Sequence, residues 1–587
     1  MENVEVARTL EEMADLLEIQ GANAFRVRAY RNAARTVDGL TRSLVDMVAA
    51  GEDLTELPAV GKNVAAHIVE LLKTGTISRM AEVEAEIPRS LVVLTRLDGV
   101  GPKKARRLWN ELGIRTVDEL EAAAEDGRVE KLAGFGARSA KKILRSIQDY
   151  RKHAARFRID DAERLITGLL EHMNEAPGLE RLEVAGSMRR RRETVGDVDL
   201  LAQCDGDGAA VVRHFGAFPG ADRVEEEGET KGNVILQSGL SVDLRVVPAR
   251  SWGAALQYFT GSKEHTVTLR IEAVHDGIRM NEWGLFRVPE GADPEQMGKE
   301  EGERLAGDSE EGVYAALGLP WIEPVLRENR GEVEAAREHR LPELLSPEDI
   351  LGDLHMHSTW SDGKNTIEDM ARACVARGYR YMAITDHSAA LAMVQGLTPE
   401  KARRQWDEID RVREVVKDIE IFRGCEVDIL RDGTLDMPDE ILEGLDVVVA
   451  SVHSFFDQDE ATMTKRVLRA IRDPRVDILG HPTGRIINKR EPFRMDLEAV
   501  LEAAAELDVA VELNANPRRL DLNDMHVRRA KDLGVRVVID TDAHRPEGLD
   551  DMRFGVDQAR RGWLEAADVL NTYPVERIRA WLARRGS

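Results

Sequence analysis

From Gly352 onward, short apolar runs alternate with helical segments, and every run ends in polar residues. The seven runs are Leu354 to His357, Tyr381 to His387, Ile421 to Asp428, Val447 to Ser454, Val476 to Pro482, Val509 to Asn514 and Val535 to His544. Strands separated by helices build a parallel sheet, because a parallel neighbour can be reached only through a crossover. Such a sheet curls into an α/β barrel with its chemistry at the carboxyl ends of the strands. Seven strands rather than eight predict an incomplete or distorted barrel.

Those carboxyl ends carry an unusual set of side chains. His355 and His357 share one side of the first strand, and Asp362 follows shortly after. His387, Glu426, His453 and His481 each close a further run, and Asp542 and His544 close the last. A single histidine at a strand end is ordinary polar surface; nine imidazoles and carboxylates at successive ends form a ligand set. Imidazole with carboxylate suits Zn²⁺, Mn²⁺ or Fe²⁺. Nine groups exceed the needs of one tetrahedral ion and fit two or three that share carboxylates. Glu426 is placed to bridge. Asp386, Asp428 and Asn514 read either as orienting partners of the ligands or as plain strand-end residues.

A second carboxylate group lies upstream. Gly186-Ser187 precedes Gly196-Asp197-Val198-Asp199-Leu200, and alternate strand residues point the same way, so Asp197 and Asp199 share a face. Asp243, in Ser241-Val242-Asp243-Leu244, supplies a third carboxylate from another strand. Three such groups suit Mg²⁺ or Mn²⁺ and phosphoryl transfer, with Asp197, Asp199 and Asp243 as ligands and Asp243 placed to take a proton. Neighbouring runs at Leu182–Val184, Asn233–Leu236 and Val242–Val247 also read as strands.

Residues 1 to about 150 are helical, and one pattern recurs there: an apolar residue, Gly-x-Gly or a near variant, then a basic amphipathic helix. The copies are Ala59-Val60-Gly61-Lys62, Gly99-Val100-Gly101-Pro102-Lys103 and Gly134-Phe135-Gly136. Glycines allow a sharp turn that leaves helix-start amides facing a phosphate. Gly61, Lys62, Gly99, Gly101, Lys103, Gly134 and Gly136 are therefore candidate DNA contacts that position without reading sequence. The first copy has Ala59 in place of a glycine.

A net charge of −25 argues against nucleic acid for the chain as a whole. Local stripes decide binding, however, and basic clusters occur at 103–107, at 141–142 and in Met188-Arg189-Arg190-Arg191-Arg192. The acid lies elsewhere, as in Glu225-Glu226-Glu227. Aromatics make up 5% of the chain, so base-stacking surfaces should be sparse. Three scattered cysteines and the lack of a signal-peptide pattern point to the cytoplasm, and no apolar run is long enough for a membrane.

The Gly-Ser…Asp-x-Asp…Asp pattern resembles the nucleotidyltransferase palm, and Tyr258-Phe259-Thr260-Gly261-Ser262 is similar to the nucleotide-pocket motif of the family X DNA polymerases. The barrel motifs closely resemble the PHP (polymerase and histidinol phosphatase) family, with all nine of its ligands present. The two likenesses together match family X polymerases with a C-terminal PHP domain. They imply a multidomain α/β chain: a helix-hairpin-helix domain over 1–85, fingers over 86–150, palm over 151–250, thumb over 251–318, a proline-bearing linker over 319–345 and a seven-stranded PHP barrel over 346–587. By resemblance, Gly186, Ser187, Arg190 and Gly261 border the incoming nucleotide, Tyr258 and Phe259 flank its sugar, and Arg270 faces the template. Arg26, Tyr30 and Lys62 would take a 5′-phosphate. The implied activities are repair synthesis on gapped or nicked DNA from deoxynucleoside triphosphates, and 3′–5′ exonuclease or 3′-end trimming. The implied form is a monomer working among other repair proteins. Two departures stand out: His67 occupies the expected position of the lyase lysine, and Thr266 that of an asparagine facing the base edge. Alternative readings are a DNA-binding phosphoesterase with a vestigial polymerase, or a polymerase with a purely structural PHP domain.

Overall fold

A computed structural model describes residues 3–38, 40, 44–95, 97, 100–132, 135–153, 156–289, 298–390 and 396–584. Gly99 and Gly134 lie outside these residues. The chain divides into two units: Met1–Arg156 with the short pieces Gly220–Val224 and Val234–Ser241, and the remainder through Ser587.

The first unit is helical. Helix Asn3–Gln20 buries Val6, Leu10, Met13 and Leu17, one stripe at helical spacing. Residues 1–85 and 86–150, expected as two domains, share one apolar core that runs from Val6 through Ile68 and Leu108 to Ile147. Helix Lys62–Thr74 begins at Gly61 and ends at left-handed Gly75, and helix Pro102–Leu112 begins at Gly101 with proline in its first turn. Neither Gly61 nor Gly101 offers a capping side chain, so the first-turn amides remain open to an external acceptor. A Cβ added at Gly61, Gly101 or Gly136 would meet nothing within 4 Å. Packing therefore does not explain these glycines. Ala59, with φ 59°, adopts the left-handed conformation itself, a strain of about 1–2 kcal/mol for a residue with a Cβ.

A five-stranded sheet has the strands Arg181–Val184 (β1), Asp197–Gln203 (β2), Ala221–Glu227 (β3), Lys231–Leu236 (β4) and Ser241–Val247 (β5), in the spatial order β1-β2-β5-β4-β3; β1 and β2 belong to the second unit. Strand β3 was hidden by its composition: it is an edge strand, exposed along Glu225–Glu227, and has no apolar alternation to read. In β2 and β5, Val198, Leu200, Val242 and Leu244 are buried while Asp197, Asp199 and Asp243 occupy the other face.

Helices Trp252–Thr260 and Lys263–His275 follow, then a three-stranded antiparallel sheet of Ile278–Asn281, Gly284–Arg287 and Glu303–Ala306. The segment 319–345, expected as a linker, is packed structure. Ile322, Val325, Leu326, Val333 and Ala336 join Leu269, Ala273 and Tyr314 in one core. Its charges are internal too. The fully buried Arg327 donates to Glu310 at 2.6 Å and to the Ile322 carbonyl at 2.8 Å, and His265 meets Glu332 at 2.6 Å. Pro324, one of the prolines that suggested a linker, opens a 3-10 turn whose Val325 and Leu326 are buried.

The carboxy-terminal domain is the expected barrel. Its seven strands, Gly352–Met356, Tyr381–Ile384, Glu420–Asp428, Val447–Ser451, Ile478–Leu479, Ala510–Asn514 and Val537–Asp540, are all parallel and neighbour one another in chain order. A parallel bridge between Met356 and Ala543 joins the last strand end to the first. One layer of strand residues, including Ala383, Phe422, Val449, Ile478 and Val538, is covered by Trp581 and Leu582 of the final helix Val575–Leu582. The opposite layer packs on the surrounding helices.

Gly253 marks where helix Trp252–Thr260 touches backbone: a Cβ there would come within 2.0–2.4 Å of three main-chain atoms of Ser309. Gly253→Ala is expected to destabilise this domain by about 3 kcal/mol or more, because the obstruction is main chain and cannot rotate away. A urea titration followed by tryptophan fluorescence would show the loss as a lowered midpoint of the transition.

Candidate active sites

The first site lies on the open face of β2 and β5. Asp199 is half-buried and Asp197 exposed. Burial, with Asp197 and Asp243 beside it, pushes Asp199 up to about 7. Asp243 is raised as well, chiefly by burial, against the hydrogen bond it accepts from Asn233. The charge of Asp197 thus reaches both Asp199 and Asp243, as in a cation pocket before it is filled. Gly186 stands against them. Its φ is 63°, and a Cβ there would lie 2.1 Å from Asp199 Oδ2. The glycine of the Gly-Ser pair is therefore required both by conformation and by the close approach of Asp199. Ser187 follows in the same turn, half-buried.

The nucleotide-pocket motif forms the end of helix Trp252–Thr260. Tyr258 and Phe259 meet edge to face, with centroids 5.1 Å apart. Arg270 lies 5.1 Å above Tyr258, and Arg245 5.4 Å above Phe259. Gly261 brings the chain against Arg190, whose Nη1 donates to the Thr260 carbonyl at 2.6 Å. Arg190 is also tied to Glu328 at 3.0 Å. Thr266 is buried and accepts a long bond from Gln257, so its hydroxyl is engaged within the core.

The basic run at 188–192 differs from the sequence expectation of a DNA stripe. Arg189 pairs with Glu310, Arg190 and Arg192 with Glu328, and Arg191 with Glu163 and Asp557. Arg485 is likewise held by Glu193. These guanidiniums knit the domains of the second unit together.

In the helical unit, Tyr30 is buried and its hydroxyl meets His67 Nδ1 at 2.6 Å, while Arg26, Lys62 and Lys103 are exposed. The phenol considered for a 5′-phosphate is committed to the histidine that replaces the lyase lysine.

The second site gathers all nine expected ligands at the carboxyl end of the barrel. The register of the first strand shifts between Asp353 and Met356, the stretch that holds His355. Glu426 lies at the centre. Its Oε2 is 2.8 Å from His387, 3.4 Å from His355 and 3.7 Å from His357; its Oε1 is 2.9 Å from His481 and 3.3 Å from His453. Asp542 lies 3.0 Å from His357, and Asp362 3.1 Å from His544 and 3.7 Å from His387. Three groupings have the spacing to hold an ion: His357, Asp362, His387 and His544; His355, His357 and Asp542; and His387, Glu426 and His453.

The donor atoms fit such ions. His355 Nε2, His357 Nδ1, His387 Nδ1, Glu426 Oε2 and His481 Nδ1 are buried with no hydrogen-bond partner among the described residues. Buried polar atoms left open in this way are costly unless something fills them. Burial, with His544 and His387 nearby, depresses His357 to about 3, which keeps its imidazole neutral and able to coordinate. For His453, burial opposes charge, but Glu426 and Asp428 outweigh it and raise the imidazole to about 10.

Around this centre, a further set of contacts fixes the ligands. Asp428 receives His453 Nδ1 at 3.0 Å, and Asn514 donates to Asp542 at 3.3 Å. Asp386 accepts from Ser358, Ser361 and Gln405, and so holds the loop that carries Asp362. Of the two readings of Asp386, Asp428 and Asn514, these contacts favour the orienting one. Glu512 was missed by sequence reasoning. It is fully buried and takes His355 Nδ1 at 2.6 Å, leaving Nε2 to face the site. Its signal was a carboxylate inside the apolar run Val509-Ala510-Val511-Glu512-Leu513.

Comparison with known proteins agrees with this geometry. Residues 1–77 match the helix-hairpin-helix domain family, 91–149 the SAM-like helix-hairpin-helix tandem, 255–328 the DNA polymerase beta thumb and 353–516 the PHP domain. The DNA polymerase/3′-5′ exonuclease PolX of Bacillus subtilis (strain 168) is 40% identical over 586 residues, covering 100% of both chains. The chain belongs to the family X DNA polymerases that carry a C-terminal PHP domain. DNA polymerase lambda of Rattus norvegicus is 26% identical over 56% of each chain. A probable phosphatase of Thermoanaerobacter sp. (strain X514) is 32% identical over 40% of this chain and 94% of its own length. No described helix is long and apolar enough to cross a membrane.

Glu512→Gln tests the orienting contact at His355. The neutral amide is expected to weaken metal retention in the barrel by about 10–100-fold, read by competition with a chelating dye, while DNA extension is unchanged.

Proposed function

We propose that this chain fills short gaps in damaged DNA as a templated polymerase and trims 3′ ends through its PHP domain as a metal-dependent 3′–5′ exonuclease. The observation that carries the reading is one chain bearing two separate sets of converging ligands. Asp197, Asp199 and Asp243 converge at one centre; nine imidazoles and carboxylates around Glu426 converge at the other.

At the first centre, Asp197, Asp199 and Asp243 would hold Mg²⁺ or Mn²⁺, which when bound neutralises phosphate charge and acidifies a primer hydroxyl. Ser187 and Arg190 take the triphosphate, and Tyr258 and Phe259 border the sugar. Asp243, its carboxyl raised by burial, is suited to receive a proton. Arg270, stacked on Tyr258, faces the template. The glycine-started helices of the first unit, at Gly61, Gly101 and Gly136, clamp the duplex through phosphates, with Lys62 and Lys103 adding charge.

At the second centre, the nine side chains would hold two or three Zn²⁺, Mn²⁺ or Fe²⁺ ions, which supply Lewis acidity toward a phosphodiester. Glu512 and Asp428 set the tautomers of His355 and His453, and Asp386 holds the Asp362 loop. The substrate is the 3′ end of gapped or nicked DNA. The chain acts as a monomer in the cytoplasm.

Paired substitutions separate the two centres. Asp197→Ala with Asp199→Ala is expected to abolish extension on a gapped duplex and spare degradation; His355→Ala with His357→Ala should do the reverse. Each loss should exceed about 10³-fold, in keeping with removal of metal chemistry. A folded protein in which either pair silences both reactions would refute the assignment.

A further inference from the structure

Arg561 lies on the barrel helix Met552–Arg561, with no role in the metal centre, yet its guanidinium is almost wholly enclosed, 2% exposed. It reaches out of its own domain. Nη1 donates to the Arg190 carbonyl at 2.5 Å and to Glu328 Oε1 at 3.0 Å; Nη2 donates to Asp524 at 2.7 Å. The same Glu328 oxygen takes Arg190 Nε at 3.0 Å, its other oxygen takes Arg192 at 3.1 Å, and Asp524 also takes Arg330 at 2.9 Å. Four guanidiniums, those of Arg190, Arg192, Arg330 and Arg561, thus converge on two carboxylates, Glu328 and Asp524. Two positive charges are left over beside the Gly186-Ser187 turn, which is an electrostatic demand for an anion.

We infer that Arg561 is a positioning residue for the polymerase, supplied by the PHP domain. It pins the main chain of Arg190 and shares the charge of Glu328, so that the Arg190 guanidinium can turn from Glu328 and the Thr260 carbonyl to the triphosphate of an incoming nucleotide. Arg561 itself touches no substrate. Without it, Glu328 holds Arg190 more tightly, and the leftover positive charge falls. The inference rests on the assignment of Arg190 to the nucleotide, and it gives the PHP domain a part in synthesis apart from hydrolysis.

The full-length chain is assayed for filling of a one-nucleotide gap, with nucleotide KM and kcat measured separately. Degradation of single-stranded DNA and bound metal are measured alongside. Arg561→Gln is expected to raise the nucleotide KM about tenfold, the scale of losing a buried charged contact. Its kcat should change less than about threefold, with degradation and metal content retained. Adding Glu328→Gln should return KM to within about threefold of the unaltered chain, because the competing charge is gone. A folded Arg561→Gln chain with unchanged KM overturns the inference, as does a KM defect that persists in the double variant. If Arg561→Gln does not fold, Glu328→Gln alone decides: KM at or below that of the unaltered chain supports the inference, and a tenfold rise overturns it. Arg190→Ala separates the two levels. If that change leaves KM untouched, the assignment of Arg190 to the nucleotide fails, whatever Arg561 does.

Discussion

Side chains that can ligate a cation, crowded together in partly dry surroundings, are unfavourable until one is bound, and this chain builds that situation twice. On the open face of β2 and β5, Asp199 and Asp243 are held back from ionising by burial and by the Asp197 charge beside them. In the barrel, buried nitrogens and a carboxylate oxygen point at one another with no hydrogen bonds to satisfy them. Neither arrangement would persist for stability alone, since apolar residues of similar volume would pack at lower cost. Everything near these centres is arranged to maintain the convergence. Gly186 leaves room for Asp199, and Glu512, Asp428 and Asp386 fix rings and loops.

The legible parts of the chain were those in which a period or a repeated chemistry spans many residues. Seven apolar runs with polar ends required a parallel barrel, and the ligands were visible because all but Asp362, which follows the first run, lie at the end of a run. Asp197 and Asp199 were visible through strand alternation. Strand β3 was not, because an exposed acidic edge needs no buried face. The 319–345 segment failed for a different reason. Its prolines and charges imitate a linker, while its packing depends on partners such as Leu269 and Tyr314 that lie far off in the chain. Glu512 escaped notice because one carboxylate in an apolar run has no periodicity, and its meaning comes only from His355, 157 residues away.

The arginine run shows how composition can mislead about function. A net charge of −25 makes any cluster of basic residues stand out as a nucleic-acid contact. In the folded chain, Arg189, Arg190, Arg191 and Arg192 each meet a carboxylate from elsewhere in the second unit. The acid that seemed opposed to DNA binding is partly spent on these internal pairs. What remains for phosphate in the helical unit is of another kind: open amides at Gly61 and Gly101, with exposed Lys62 and Lys103 beside them. Such contacts depend on backbone geometry more than on net charge, so they survive in an acidic protein.

Buried ion pairs contribute little to stability on balance but fix geometry strictly, because breaking one leaves a charge stranded. Glu328 and Asp524 are of this type; both carboxyls are held well below the usual carboxylate range even though burial opposes their charge, since Arg561 and its companions outweigh it. A joint made in this way tolerates few alternative alignments of the parts it connects. Apolar contact alone, as where Trp563 joins the core around Tyr314 and Leu326, would allow sliding between domains. The ionic joint removes that freedom where the Gly-Ser turn, the end of the thumb segment and the barrel meet. A polymerase and a hydrolase carried on one chain gain from a fixed relation between their frameworks, and the residues that fix it lie in neither set of metal ligands.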